Sequence, residues 1–166
     1  MTADDRIAAL EARLQAAEGL FAREAIRETM AKYNHSGDIL RAVDFAACFT
    51  EDGILESASE GGFRYASRAE ILAWQSSWRD NPPTDETPRG ARFVRHNLTT
   101  SRIELTGPDS AKARTYWLVM TDVGPDHCGV YSDVFRKVGG EWLIAHRRVK
   151  TEWWAENSHF RPPGQR

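Results

Sequence analysis

Apolar side chains recur through the first forty residues with the period of a helix. Ile7, Leu10, Leu14 and Ala17 are spaced by alternating steps of three and four, which predicts a helix over residues 3–18 with one apolar stripe. Its outer face carries Arg6, Glu11, Arg13 and Glu18, and Thr2 and Asp5 have the spacing of a capping box. Such a stripe packs on the parent domain or, alternatively, against a helix of a second copy. Gly19 loosens the pattern, and Ile26, Met30 and Tyr33 then continue it as a second helix that should end near Ser36-Gly37, with Asp38 at the break. A third helix is expected over about Leu40 to Phe49, burying Val43, Ala47 and one or both of Phe45 and Phe49. Asp52-Gly53 reads as a turn and Ile54-Leu55 as the start of a short strand. Ser67-Arg68-Ala69-Glu70 is a second capping box, opening a helix with Ile71, Trp74 and Trp78 on one side.

The period then changes. Asn81-Pro82-Pro83, Pro88 and Gly90 make residues 79–92 a long loop, either a binding loop or lid or a disordered segment. Alternating patterns over Phe93–Leu105, Ala111–Asp122, Cys128–Val138 and Glu141–Thr151 predict four strands, and Gly139-Gly140 marks a hairpin. His127 falls in the turn before the third of these. The tail, 152–166, carries Trp153, Trp154 and Phe160 and should fold back on the body. Helices first and long antiparallel strands afterwards make an α+β fold, read as one domain over residues 1–166. Strands of this length curl strongly. The helices would cover the concave face, making a cone whose interior is the natural ligand site.

Composition narrows the function. In 166 residues, 22 Lys and Arg face 24 Asp and Glu, so there is no domain-wide basic field and nucleic-acid binding is not indicated. No apolar run is long enough to span a bilayer, and the acidic start lacks the regions of a signal peptide, so the expected site is the cytoplasm. Cys48 and Cys128 lie far apart and read as free buried thiols. No histidine pair has metal-ligand spacing, and there is no Gly-rich phosphate loop or Gly-x-Ser-x-Gly elbow. Six Trp, seven Phe and four Tyr suggest aromatic pocket walls or an aromatic core.

Several motifs point further. Ala25-Ile26-Arg27-Glu28, Tyr33, Asp38 and Phe49-Thr50-Glu51-Asp52-Gly53 resemble the opening of SnoaL-like proteins of the nuclear-transport-factor-2-like superfamily. So do Arg95-His96-Asn97, Gly129-x-Tyr131-x-Asp133 and the run Gly140 to Arg148. The resemblance spans roughly Leu20 to Trp154 and implies the cone-shaped NTF2-like fold, a strongly curved, mainly antiparallel sheet wrapped on N-terminal helices. Within the superfamily the motifs are nearest to scytalone dehydratase and bile-acid 7α-dehydratase. The positions matching their Tyr, Asp and His are Tyr33, Asp38 and His96. The further polar group of those enzymes is replaced here by Val119 or a neighbour, and their cation on the last strand is matched by Arg148 or Lys150.

The resemblance implies a chemistry these residue types can perform. His96 can act as base and then acid, since imidazole titrates near neutrality. Asp38 can fix its tautomer and favour the imidazolium. The Tyr33 phenol can donate to a carbonyl oxygen that becomes an enolate. Taken singly, each has a plainer reading: Asp38 caps the third helix, Tyr33 is a core aromatic and His96 a hydrogen-bonded strand residue. Their joint fit to one motif is what raises them. His146 alternates with Ile144 and Arg148, and that face either lines the cone or forms an outward row with Asp133.

The expectation is a lyase without metal or organic cofactor, most simply a dehydratase, acting on a hydrophobic hydroxylated ring compound such as a steroid, polyketide or phenolic aromatic. Phe49, Trp78, Tyr116, Tyr131 and Arg148 are the candidate substrate contacts. Two competitors remain. A ketosteroid-isomerase-like enzyme would pair Tyr33 with Glu56 as base. A non-catalytic binding protein, like the small subunit of ring-hydroxylating dioxygenases, would leave Tyr33, Asp38 and His96 without a shared cavity. The resemblance also implies a homo-oligomer, a dimer or trimer.

Overall fold

One uninterrupted helix, α1 (Ala3–Asp38), stands where two were predicted. A single glycine costs a helix only about 1 kcal/mol, and the Gly19 carbonyl accepts a bond from Arg23 Nη1 at 2.9 Å. The computed structural model describes residues 1–58, 62–80 and 90–161, with all side chains but those of 79 and 80. At its start, Thr2 and Asp5 form the predicted capping box. At its end the chain reverses through Leu40, whose φ is +56°, and the Arg41 amide donates to the Ser36 carbonyl at 2.9 Å. This reversal shortens the next helix, α2, to Ala42–Ala46. Phe45 and Phe49 are both buried, whereas Val43 is exposed, contrary to expectation.

The strand β1 runs over Phe49–Ser57, so Asp52-Gly53 lies inside a strand rather than in a turn. The pairing of β1 shifts register between Phe49 and Ile54, a bulge that absorbs the glycine. A short unpredicted strand, β2 (Arg64–Tyr65), pairs with it, and α3 (Arg68–Asp80) follows. Ser67 Oγ accepts from the Glu70 amide, but the Glu70 carboxylate reaches the Ala66 amide, one residue further back than a capping box requires. The predicted loop lies outside the described residues over 81–89.

The remaining strands are β3 (Arg95–Gly107), β4 (Ser110–Thr121), β5 (Gly124–Val138) and β6 (Glu141–Trp154). They form an antiparallel meander, and β6 then pairs in parallel with β1, giving the six-stranded order β2-β1-β6-β5-β4-β3. Gly139 and Gly140, both at positive φ, make the predicted β5–β6 hairpin. Register shifts at Val119/Met120, Cys128/Gly129 and Val134/Phe135 bend the sheet. Gly129 is required there, because a Cβ would stand 2.0 Å from the Lys150 carbonyl oxygen and 2.7 Å from the Trp117 ring. The fold is therefore α+β, a curved, unclosed sheet with α1 to α3 on its concave side. Ile26, Met30, Phe45, Phe49, Leu55, Ile71, Val119, Phe135 and Ile144 fill the core between them. Residues 155–161 fold back as predicted and are fastened to Asp126, while 162–166 lie outside the described residues. Among the described residues, no helix is long and apolar enough to cross a membrane.

Candidate active site

Asp38 is the last residue of α1, and its carboxylate projects onto the start of β3. One oxygen accepts the His96 backbone N–H at 2.9 Å and the other meets His96 Nδ1 at 2.6 Å. An ionised carboxylate only accepts, so this contact places the proton on Nδ1 and leaves the Nε2 lone pair free. Asp38 is nearly buried, while the His96 side chain is 28% exposed. The pair thus presents a partly exposed imidazole held by a carboxylate that is almost out of solvent.

Tyr33 lies five residues earlier in α1 and is buried in an aromatic cluster. Its ring centroid is 4.4 Å from Phe45, 5.8 Å from Phe49 and 6.1 Å from Tyr131. Tyr131 stacks on Trp117 at 5.5 Å, and Trp117 is 6.4 Å from His96. Ring contacts therefore run without a gap from Tyr33 to His96. Burial pushes the Tyr33 phenol up to about 12, against the opposing pull of the Arg147 guanidinium, so it is a hydrogen-bond donor at neutral pH. Burial likewise pushes the Tyr131 phenol up.

Arg147 is the cation that the sequence reading missed. It is fully buried, makes a two-pronged ion pair with buried Asp133 at 2.8 and 2.7 Å, and stands 4.1 and 4.2 Å from the ring centroids of Tyr33 and Tyr131. Burial works against its charge, but the Asp133 carboxylate outweighs that and holds the guanidinium firmly protonated. Arg147 Nη1 and Trp117 Nε1 are buried N–H donors with no acceptor among the described residues. Such donors suit a ligand oxygen. The signal for Arg147 was Asp133, which alternates with Tyr131 and Phe135 on the inward face and needs a buried counter-ion.

His127 is the second residue missed. It lies in β5, not in a turn, and its ring is 5.4 Å from Trp117. His127 Nδ1 meets Asp126 at 2.7 Å, which repeats the Asp38–His96 arrangement two strands away, across β4. The register runs His96, Val119, His127 across three strands, so His127 flanks the position where Val119 replaces the expected polar group. Burial holds the His127 imidazole below its ordinary range, against the pull of Asp126. Asp126 also accepts from Thr121, Ser158 and the His159 amide, and these bonds overcome burial to hold its carboxyl below its usual range.

Other expected contacts lie elsewhere. Tyr116 projects from the outer face of the sheet and is half exposed, because it alternates with inward Thr115 and Trp117. Trp78 is also half exposed and meets Trp74 edge-on at 6.3 Å. Phe49 is a fully buried core ring. Arg148 faces outward 4.0 Å from Glu56, and His146 Nε2 is 3.0 Å from the same carboxylate. Glu56 is thus tied to His146, Arg148 and Arg64 on the side of β1 opposite buried Leu55. Asp133 belongs to no outward row, since it pairs with Arg147 inside. A groove of about 450 Å³ lies on this outer face, lined by Arg102, Glu104, Lys112, Arg114, His146 and Arg148 among others. Burial pushes the Cys48 thiol up to about 11, which makes it inert at neutral pH. Among the described residues, no three His, Cys, Asp or Glu side chains converge as metal ligands.

Comparison with known proteins adds a family. The family model described as a SnoaL-like domain matches residues 18–148. No curated protein matches the chain. A protein of unknown function from Mycobacterium tuberculosis is 26% identical, with a TM-score of 0.68 over 82% of this chain and 75% of that one. A provisionally named scytalone dehydratase from Novosphingobium aromaticivorans is 22% identical, with a TM-score of 0.69 over 91% of this chain and 99% of that one. The beta subunit of a provisionally assigned aromatic-ring-hydroxylating dioxygenase from the same organism is 18% identical, with a TM-score of 0.68 over 82% and 93%. At these identities the last two speak for the fold alone.

Proposed function

The chain belongs to the SnoaL-like domain family, and we propose that it is a lyase that eliminates water or a small fragment from a hydrophobic, hydroxylated ring compound. Similar folds carry the names of a dehydratase and of a dioxygenase subunit, so the choice rests on the residues. The observation that carries it is the Asp38 clamp, which holds both the backbone and the ring of His96 and leaves one imidazole nitrogen free.

In this reading His96 Nε2 removes the C–H proton beside a carbonyl, and the electron pair moves onto the carbonyl oxygen as an enolate. The Tyr33 phenol donates to that oxygen. Asp38 stabilises the imidazolium that forms. As the enolate collapses, the C–O bond to the hydroxyl breaks and His96 returns its proton to the departing oxygen, releasing water. Each proton has a carrier among these three residues, so the sequence of steps calls for no cofactor. Trp117 and Tyr131 would wall a flat ring compound between Tyr33 and His96. The isomerase alternative loses its base, because Glu56 is ion-paired on the outer face.

A mass-spectrometric screen tests this. The protein, His96→Ala and Tyr33→Phe are incubated with hydroxylated steroids, polyketides and lignin-type phenolics. A loss of water or formaldehyde that falls about 10²–10⁴-fold in His96→Ala is expected. A mass-neutral double-bond shift that survives in His96→Ala would instead establish an isomerase. Tight binding of these compounds without turnover would establish a binding subunit.

A further inference from the structure

α1 carries two apolar faces. One consists of Gly19, Ala22, Ile26, Met30 and Tyr33 and meets the body, with Gly19 beneath Leu105 and the others at or against the core. The other consists of Ile7, Leu10, Leu14, Ala17 and Phe21. At about 100° per residue it points roughly the opposite way. No described residue covers it: Ile7 is 54% exposed, Leu10 and Leu14 are each 61% exposed, and Phe21 is 72% exposed. The predicted packing of this stripe on the parent domain is therefore overturned. All of it but Phe21 also precedes the stretch that matches the family model.

The free face has the spacing of a two-stranded coiled coil. Ile7, Leu14 and Phe21 fall at the a positions of a heptad, and Leu10 and Ala17 at the d positions. Glu24 takes the next d position and ends the seam, just as the other side of the helix enters the core. The flanking positions are segregated by charge. Glu11 and Glu18 are at e, and Arg6 and Arg13 are at g. None of these four charges has an ion-pair partner among the described residues.

This segregation selects both the occupant and its direction. In a parallel pair, each g residue meets the e residue of the partner's next heptad. Arg6 would then meet Glu11 of the partner subunit, and Arg13 would meet Glu18 of the partner subunit, each twice by symmetry. In an antiparallel pair, e meets e and g meets g, which sets Glu against Glu and Arg against Arg. We propose that residues 3–21 form a parallel coiled coil with the same segment of a second copy of this chain. The contact lies on the side of α1 away from the candidate active site, so it stands whether or not the elimination reading does.

The test is the molar mass of the full chain by sedimentation equilibrium. The wild type is expected as a multiple of the monomer, and Leu10→Glu/Leu14→Glu as half that mass with unchanged far-ultraviolet dichroism. A wild-type monomer at micromolar concentration, or a variant of undiminished mass, would overturn the proposal. Direction is read separately. Oxidised Leu10→Cys should give a reducible cross-linked dimer, because a d residue meets its own copy only in a parallel, in-register pair. Absence of that cross-link while the wild type associates would overturn the parallel arrangement. Arg6→Glu/Arg13→Glu and Glu11→Arg/Glu18→Arg should each weaken self-association about tenfold or more, and mixing the two should restore it. Equal association of all three samples would refute the charge rule on which the assignment rests.

Discussion

Replacing Asp38 by Asn tests the candidate site at its smallest change, one oxygen to one NH₂ group. The carboxylate now accepts from two donors of one residue, the His96 amide and the imidazole Nδ1–H. An amide side chain has only one accepting end. If its oxygen keeps the backbone N–H, its NH₂ faces Nδ1, which must then accept, and the proton moves to Nε2. The nitrogen left free to act as a base becomes a donor. A hydrogen bond to a charged group is worth about 1.5–3 kcal/mol, and Asp38 is close enough to full burial that solvent does not dilute it. At about 1.36 kcal/mol per decade, losing that stabilisation of the imidazolium slows proton abstraction about 10- to 150-fold. Loss of the correct tautomer adds to this. Stability should fall by only about 1 kcal/mol, because the backbone bond survives in neutral form.

Two readouts separate the causes. Long-range proton–nitrogen correlation spectra of the His96 ring report which nitrogen carries the proton, with no substrate needed. Turnover on whichever compound the screen identifies reports the chemistry. The expected result is a proton on Nδ1 in the wild type, on Nε2 in Asp38→Asn, and a kcat reduced by at least tenfold. A tautomer that does not change, with kcat within about twofold of the wild type, would show that the clamp does not set the base and would sink the assignment of Asp38.

Three further outcomes follow from the surroundings of the site. Arg147→Ala leaves the buried Asp133 carboxylate unpaired and should cost about 3–5 kcal/mol, which calorimetry would read as a fall in Tm of roughly 6–20 °C. A loss under 1 kcal/mol would mean that water replaces the guanidinium. Stability should decline as pH falls below 6.5, because the unfolded His127 imidazole gains a proton that the folded one resists, so the unfolded state binds more protons there. A second decline should begin near pH 4, as unfolded Asp126 protonates before the folded, depressed carboxyl does. Urea midpoints against pH should show both, and His127→Gln should flatten only the first. Finally, Cys48 should resist alkylation by iodoacetamide at neutral pH until urea unfolds the chain, since it is buried and its thiol is pushed up to about 11. Rapid native labelling of Cys48 would show that the core near Phe45 opens.

The parts of the fold legible in the sequence are those where one period persists. The start of α1, the Gly139-Gly140 hairpin and the presence of the four long strands were readable because a capping pattern, a glycine pair and long stretches of alternation mark them. The failures cluster where the backbone breaks its own period. Ala145 is an extra residue in β6 between the paired residues Ile144 and His146. Counting by two from Ile144 puts His146 and Arg148 on the inner face. The bulge turns the strand over, so Arg147 goes in and Arg148 goes out. The stretch between Asp122 and Cys128 reads as a turn, yet β5 already runs through it from Gly124. That misreading hid the Asp126–His127 pair.

These departures from regularity are also what shape the site. A strand without a bulge at Ala145 would aim its cation at solvent, and the edge-on pair Tyr33 and Tyr131 would lose the guanidinium that lies against both rings. A β5 without Gly129 could not let Lys150 and Trp117 approach so closely, and Trp117 is the ring that links Tyr131 to His96. Asp38 depends on a third irregularity, the left-handed Leu40, which reverses the chain two residues after Asp38 has ended α1. Tyr33 and Asp38 are five residues apart on one helix, so the helix fixes their spacing. His96, Trp117, Tyr131 and Arg147 come from four successive strands, so only the curvature of the sheet can bring them to that helix. Curvature comes from bulges, and a bulge is the feature that a strict two-residue period cannot encode. Arg147, which the alternation aimed at solvent, is therefore the residue that only the bulge delivers to Tyr33.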